Sequence, residues 1–293
     1  MDPQQSMFHT FATEGFAAWA ELFLEAIHFH YGDRVHVLLD GYGLSDDAVA
    51  TLTRIHGNLR IRNQPEKFEE LADKAGVDMA TVQRWKKEIE EGATTNENFW
   101  FKSFISDDQR YRSMDNVLNY ASSNGFSYLV HADVDIYIRD RLDRIGPSLE
   151  NHDLGLFIRQ EITDTKPLGA FLAFRVGAGA TSFVDTWMAE IDSVPFTGRK
   201  RGWGQIIIKR ALEQSHGARV LNFNDNPRPV SYSKTFERDA DLWLGSNSRG
   251  RGPIKVGPRM ACWEDFKARL PRIEPRPMSG NPIGRFFRRL ARP

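Results

Sequence analysis

Cysteine occurs once in these 293 residues, at Cys262. A single thiol excludes an internal disulfide and any cysteine-based metal cluster, and it suits a reducing compartment. Charge bias is missing too: 39 lysines and arginines balance 39 aspartates and glutamates, so no bulk field draws nucleic acid or a membrane. No run of about 18 apolar residues is present to span a bilayer. The opening Met1-Asp-Pro-Gln-Gln lacks the basic and apolar regions of a signal peptide, so a cytoplasmic protein is expected. There is no Gly-Lys-Ser/Thr phosphate loop and no Gly-X-Ser-X-Gly nucleophile elbow. Gly177-Ala-Gly-Ala lacks the third glycine and the later acid of a dinucleotide fingerprint. Histidines form no ligand set by spacing: His28, His30 and His36 straddle a helix end and a strand. His131 is read as a packing residue.

What is present points to an α/β protein. Apolar residues make up 41% of the chain, enough for a core. Strand-like and helix-like segments alternate over the first two thirds, which argues for a mainly parallel sheet. Strands are predicted at 7–12, 34–40, 59–62, 154–158, 167–174 and 219–223. Helices are predicted from Gly15 to Tyr31 behind a Thr13 cap, from Asp46 behind a Ser45 cap, and from Asp107 to Asn124 before Gly125. Further helices are predicted over Ala180 to Asp192 and Gly204 to Gln214, and over 66–92 with a break at Gly76. Residues 224–260 read as loop.

The stretch Phe126-Ser-Tyr-Leu-Val-His-Ala-Asp133-Val-Asp135-Ile-Tyr-Ile138 carries the chemistry. An apolar run reads as a buried strand, and acids are rarely buried there without a partner. Strand alternation would aim Asp133 and Asp135 to one side, toward one ion. Hard carboxylate oxygens suit Mg²⁺ or Mn²⁺, which keep places for water and substrate phosphates. The pair lies toward the carboxyl end of its strand, where open α/β sheets bind ligands.

In order, the Asp-Val-Asp strand, Gly169-Ala-Phe-Leu-Ala-Phe-Arg175, Ser182-Phe-Val-Asp-Thr-Trp187 and Trp203-Gly-Gln205 resemble the GT-A-type glycosyltransferases. The chain is similar, more narrowly, to nucleotide-diphospho-sugar transferases related to glycogenin and the bacterial lipooligosaccharide galactosyltransferases. The resemblance implies a Rossmann-type open twisted sheet flanked by helices. It implies a domain over 1–260 with a helical insertion at 66–101, and a basic tail over 261–293. The implied reaction moves a sugar from a nucleotide-diphosphate donor, with uridine preferred, to a hydroxyl of a surface glycan or glycolipid.

The resemblance also assigns residues. Asp133 and Asp135 would hold Mn²⁺ or Mg²⁺. Phe11, Ala12 and Thr13 end the first strand and would contact the nucleoside, with Asp40 a base or ribose acceptor. Lys102 and Arg112 would hold donor phosphates or orient the aspartates. Where relatives place a late histidine as third ligand, this chain has Gly245-Ser-Asn-Ser-Arg-Gly-Arg-Gly-Pro-Ile-Lys255. Asn247 or Ser246 would substitute through oxygen, and Arg249, Arg251 and Lys255 would close over the diphosphate. Gly204-Gln205 stands where retaining relatives have Asp-Gln, which puts Gln205 beside the anomeric carbon and Trp203 against the sugar ring. Retention is preferred; inversion would require a carboxylate base, for which Glu161 and Asp164 are the candidates.

Two other segments carry signals of their own. Residues 71–85 resemble a helix-turn-helix, which would make the chain a DNA-binding regulator. Yet residues 66–91 hold eight acids against five bases, the wrong sign for phosphate binding. The tail from Phe266 carries eight basic residues and one acid, Glu274, and 284–293 sets Phe286, Phe287 and Leu290 among arginines. Such a segment would lie on an anionic membrane surface at the inner face.

Overall fold

This computed structural model describes residues 2–65, 67–90, 95–160, 165–195, 199, 202–225, 230–231 and 241–244. Near-continuous apolar runs build the first strands, β1 (Ser6–Thr13) and β2 (His36–Tyr42), joined by α1 (Ala17–Tyr31). Thr13 makes no side-chain cap; a short 3-10 turn at Glu14–Phe16 intervenes before α1, contrary to the predicted cap. Ser45 does cap α2 (Asp46–Thr53), its hydroxyl accepting from the Ala48 amide. β3 (Leu59–Gln64) follows. Then come α3 (Phe68–Lys74) and α4 (Met79–Glu90), separated at Gly76, whose φ of 68° is easy only for glycine.

The next helix, α5 (Asn96–Ser123), starts well before the predicted Asp107. A reciprocal pair of hydrogen bonds between Thr95 and Asn98 caps it, and glycine in the left-handed region at Gly125 ends it. The strand expected to end in Asp133 and Asp135 stops short of them: β4 is Tyr128–Ala132, and β5 (Tyr137–Ile138) follows. Between them Asp133–Ile136 is a turn, with the Ile136 amide donating to the Asp133 carbonyl at 3.2 Å. The strand reading failed because Val134 and Ile136 are both buried, which imitates alternation without a strand. A short α6 (Ile145–Ser148) leads to β6 (Leu154–Gln160) and β7 (Thr165–Arg175). After them come α7 (Ala178–Ser193), α8 (Trp203–Gln214), β8 (Val220–Asn222), β9 (Val230–Ser231) and β10 (Leu242–Trp243).

Seven strands form one sheet in the order β3-β2-β1-β4-β7-β6-β8. Four of its neighbouring pairs are parallel, and the two pairs made by β7 are antiparallel. β5, β10 and β9 form a second, small sheet. Alternation sorts side chains to two faces. Phe8, Val37, Leu39, Val130 and Phe171 pack with α1 and α2, whereas Met7, Leu38, Leu129, Leu172 and Phe174 pack with α5, α7 and α8. The result is a three-layer α/β/α arrangement. Among the described residues no helix is long and apolar enough to cross a membrane.

At Gly155 in β6, an added Cβ would sit 2.6 Å from the Phe223 ring and 3.1 Å from a Leu149 methyl, both fully buried. Gly155→Ala should therefore cost about 1–3 kcal/mol by overpacking. Urea unfolding would show a lower midpoint at constant slope; an unchanged midpoint would mean that Phe223 does not pack on β6.

Candidate functional site

Alternation directs His9 and Phe11 of β1, Asp40 of β2 and His131 of β4 to the face that α5 covers. His9, Asp40 and His131 make a buried polar row that Arg62 extends to a fourth strand, β3. Arg62 of β3 donates from Nε and Nη2 to the two oxygens of Asp40, at 2.6 and 2.7 Å. His9 Nε2 donates to Asp40 Oδ2 at 3.1 Å, and His9 Nδ1 meets His131 Nδ1 at 2.9 Å. A carboxylate only accepts, so His9 Nε2 carries a proton, and the facing Nδ1 atoms share one more. Burial, then the nearby His9 and Arg110 charges, push His131 well below the ordinary histidine range, which keeps it neutral. Burial alone would raise Asp40, but hydrogen bonds and charge from His9 and Arg62 reverse this and hold it at about 2.

The row ends at the acidic turn. Among the described residues His131 Nε2 has no hydrogen-bond partner, and it lies 4.0 Å from Asp133 Oδ1. Asp133 is buried, its amide donating to the Ala170 carbonyl of β7 at 2.8 Å, while Asp135 is half-buried. Arg110 of α5 closes the site. Its Nη1 donates to Asp133 Oδ1 at 2.9 Å and its Nη2 reaches Asp107 at 3.1 Å. The same guanidinium lies over the Phe11 ring at 5.1 Å and over Tyr111 at 4.4 Å, and it donates to the Tyr111 hydroxyl.

Tyr111 carries the connection onward to α8. Its ring contacts Trp203 edge-on at 5.8 Å and Trp187 at 5.1 Å. A Cβ on Gly204 would fall 2.3–2.7 Å from that ring. The glycine found where the resemblance expects aspartate is thus explained: Tyr111 occupies the space. Trp203 is buried under the Arg199 guanidinium, 4.2 Å from its ring centre, and Gln205 is half-exposed one residue past Gly204.

Phe11, Asp133, Trp203 and Gly204 therefore meet through Arg110 and Tyr111, two residues that sequence reasoning missed. Ala12 and Thr13 are buried at the end of β1, and Asp40 is fully buried with both oxygens engaged. Arg112 turns away from Asp133, because two positions along a helix rotate about 200°. It pairs with Asp108 at 3.1 Å and Asp192 at 2.7 Å. The signal that pointed to Arg110 was the buried acid itself, which requires a cation nearby. Lys102 lies in α5, with its side chain outside the described residues. Glu161, Asp164, Ser246, Asn247, Arg249, Arg251, Lys255 and the tail 261–293 also lie outside them.

A cleft of about 520 Å³ opens at the carboxyl ends of β2 and β3. Tyr42, Arg62 and Gln64 form its floor, α3 contributes Glu70 and Lys74, and α5 contributes Asp108 and Arg112. In the segment read as a helix-turn-helix, Val82 and Trp85 of α4 are buried against Leu71 and Ala72 of α3.

No family model and no curated protein matches this chain. Solved structures do. The galactosyltransferase LgtC, in complex with donor and acceptor sugar analogs, superimposes with a TM-score of 0.50 at 10% identity, covering 92% of this chain and 97% of LgtC. An active-site mutant of LgtC gives 0.50 at 11% identity, covering 89% and 95%. The glycosyltransferase GlyE of Streptococcus pneumoniae TIGR4 gives 0.50 at 8% identity, covering 88% of this chain and 59% of GlyE. The chain has the GT-A glycosyltransferase fold. At such identities the likeness speaks for architecture, and it agrees with the mainly parallel sheet and the element order expected from the sequence. In this GT-A chain the acidic turn leaves the carboxyl end of β4, a central strand, next to β1.

Two measurements check this geometry. Arg110→Met leaves Asp133 buried without its cation and should destabilise by about 3–5 kcal/mol, whereas Arg112→Met breaks an exposed pair with Asp192 and leaves buried Asp108 its partner Arg199, and should cost about 1 kcal/mol or less. Equal losses in chemical denaturation would refute the assignment of Arg110 as the Asp133 partner. Asp40 is depressed in the folded state, so its stabilisation is present above the ordinary carboxylate range and lost as pH falls toward about 2. Asp40→Asn should therefore be less stable than wild type at pH 7, by about 3–5 kcal/mol. The gap should narrow on acidification through that window; a gap independent of pH would contradict the ionised pairing.

Proposed function

We propose that this chain transfers a sugar from a nucleotide-diphosphate donor, with UDP preferred, to a hydroxyl of a surface glycan or glycolipid. The observation that carries the proposal is the Asp133–Asp135 turn at the carboxyl end of β4, fixed by Arg110 beside Phe11 within a GT-A fold. The donor set fits a hard divalent ion: carboxylate oxygens at the site, with the unpartnered His131 Nε2 turned toward the same acid. Asp133 and Asp135 would hold Mn²⁺ or Mg²⁺, with Asn247 as the proposed third ligand. Such an ion supplies charge neutralisation for a departing diphosphate.

The chain's own residues would do the remainder. Phe11, Ala12 and Thr13 border the nucleoside, and the polar row through Asp40 keeps β1, β2 and β4 in register beneath it. Lys102 and Lys255 are proposed to meet the phosphates, with Arg112 on the neighbouring cleft wall. Charged and hydroxyl groups lining that cleft suit a polyhydroxylated acceptor, which they would bind through hydrogen bonds. Gln205 would face the anomeric carbon and Trp203 would back it, with retention preferred; Glu161 or Asp164 would serve as base if the reaction inverts. The basic tail over 284–293 is proposed to hold the enzyme at the inner membrane face, near a lipid-linked acceptor.

Asp135→Asn is the cleaner test, since Asp133 belongs to a buried ion pair. At a hundredfold excess over its Kd, UDP-sugar with Mn²⁺ should stabilise the wild type by about 2.7 kcal/mol. Thermal-shift measurements should show that gain removed in Asp135→Asn, with fold preserved by circular dichroism. A shift given by duplex DNA and by no nucleotide would reject the proposal in favour of a DNA-binding regulator.

A further inference from the structure

Three side chains separated in sequence converge at the edge of the sheet opposite the acidic turn. His28 sits in the last turn of α1, Asp33 follows Gly32 just before β2, and His56 lies in the loop between α2 and β3. Their ligand atoms all fall within 4.8 Å of one another. His28 Nδ1 donates to Asp33 Oδ1 at 3.1 Å, a proton that metal binding would release, and His56 Nδ1 is 3.7 Å from the same oxygen. A tetrahedral ion with bonds of about 2.0–2.1 Å separates its ligand atoms by about 3.3 Å. The observed spacings bracket that edge.

His56 supplies the deciding detail. Its side chain is fully buried, and its Nε2 lies 2.9 Å from the Val35 carbonyl. A carbonyl only accepts, so Nε2 carries the proton and Nδ1 bears the lone pair. Among the described residues that Nδ1 has no hydrogen-bond partner, and it is aimed at Asp33 and His28. Ordinary packing seldom leaves a buried nitrogen this way. The Nε2 contact is also the outer hydrogen bond that metal-ligating histidines commonly make, which fixes ring and tautomer. Asp33 is anchored by the Gly57 amide at 2.6 Å, and a side chain at Gly57 would collide with its carboxylate at 2.9 Å.

We propose that His28, Asp33 and His56 form a binding site for a borderline divalent transition-metal ion, Zn²⁺ by preference, with an open fourth position. Two imidazoles with one carboxylate select such an ion over Mg²⁺. The site lies at the amino end of β2, whereas Asp133 follows the carboxyl end of the parallel β4, so it is separate from the site proposed for sugar transfer. Bound there, the ion would fasten the end of α1 to the loop that starts β3. Half-exposed Asp33 gives the ion its way in.

The test uses the full-length chain, stripped with a chelator and re-equilibrated with Zn²⁺, with bound zinc counted by atomic emission after gel filtration. His28→Gln and Asp33→Asn alter partly exposed positions, so both variants should stay folded. Each should hold one ion fewer than wild type, and metal competition should show at least about a tenfold loss of affinity, the scale at which outer-shell partners already matter. The rise in melting temperature that Zn²⁺ gives the wild type should be lost in both variants, whereas any Mg²⁺ shift should be the same in all three proteins. Equal zinc content in wild type and both variants, or a Zn²⁺ shift retained in both variants, overturns the proposal. Neither readout involves a nucleotide, so failure here is distinct from failure of the sugar-transfer proposal.

Discussion

The ion pair between Arg110 and Asp133 ties the long α5 helix to the central strand β4. A buried guanidinium and a buried carboxylate each lose hydration, so neither is tolerated alone. Arg110 answers that demand through its two Nη groups, on Asp133, Asp107 and the Tyr111 hydroxyl, and by stacking over Phe11. The pair fixes one oxygen of the acidic turn and the position of the first strand's last aromatic ring together. A planar fork achieves this where a lysine would not.

Tyr111 extends the arrangement from one residue further along the helix. Its ring fills the space above Gly204, leans on Trp203 and Trp187, and passes close to Gly169 of β7. Two glycines and an aromatic thus set how closely α5, α8 and the sheet approach. Beneath them Arg62, Asp40, His9 and His131 satisfy one another across β3, β2, β1 and β4. That row places polar groups in what is otherwise an apolar interface, a device that specifies strand neighbours as well as stabilising them.

Much of this was legible in the chain. Apolar runs announced the main strands, glycines at 76 and 125 marked helix ends, and Ser45 marked a helix start. The mainly parallel GT-A sheet followed from the alternation and from the motif order. The illegible parts share one cause: they depend on pairs distant in sequence. Val134 and Ile136 pack inward from a turn, so local periodicity took the turn for a strand. Arg110 and Arg112 look equivalent by composition, and only the phase of α5 relative to β4 separates them. Gly204 looked like a missing acid until Tyr111, far upstream, was seen to fill its place. The histidines looked unrelated because spacing along the chain hid the approach of His28 and His56 across a helix–loop boundary.

The small sheet of β5, β10 and β9 has its own bearing on the acidic turn. Two pairings, Leu242 with Ile138 and Trp243 with Tyr137, join β10 to the strand into which the turn exits, and the Arg139 and Asp140 amides donate to the Asp241 carbonyl just beyond. Side chains on strands repeat every second residue, so a slip by one would exchange the inward and outward partners of both strands. The turn therefore works as a clasp whose catch is fastened by residues roughly a hundred positions downstream. Loosening β10 would free Asp135 at one end while Arg110 still gripped Asp133 at the other.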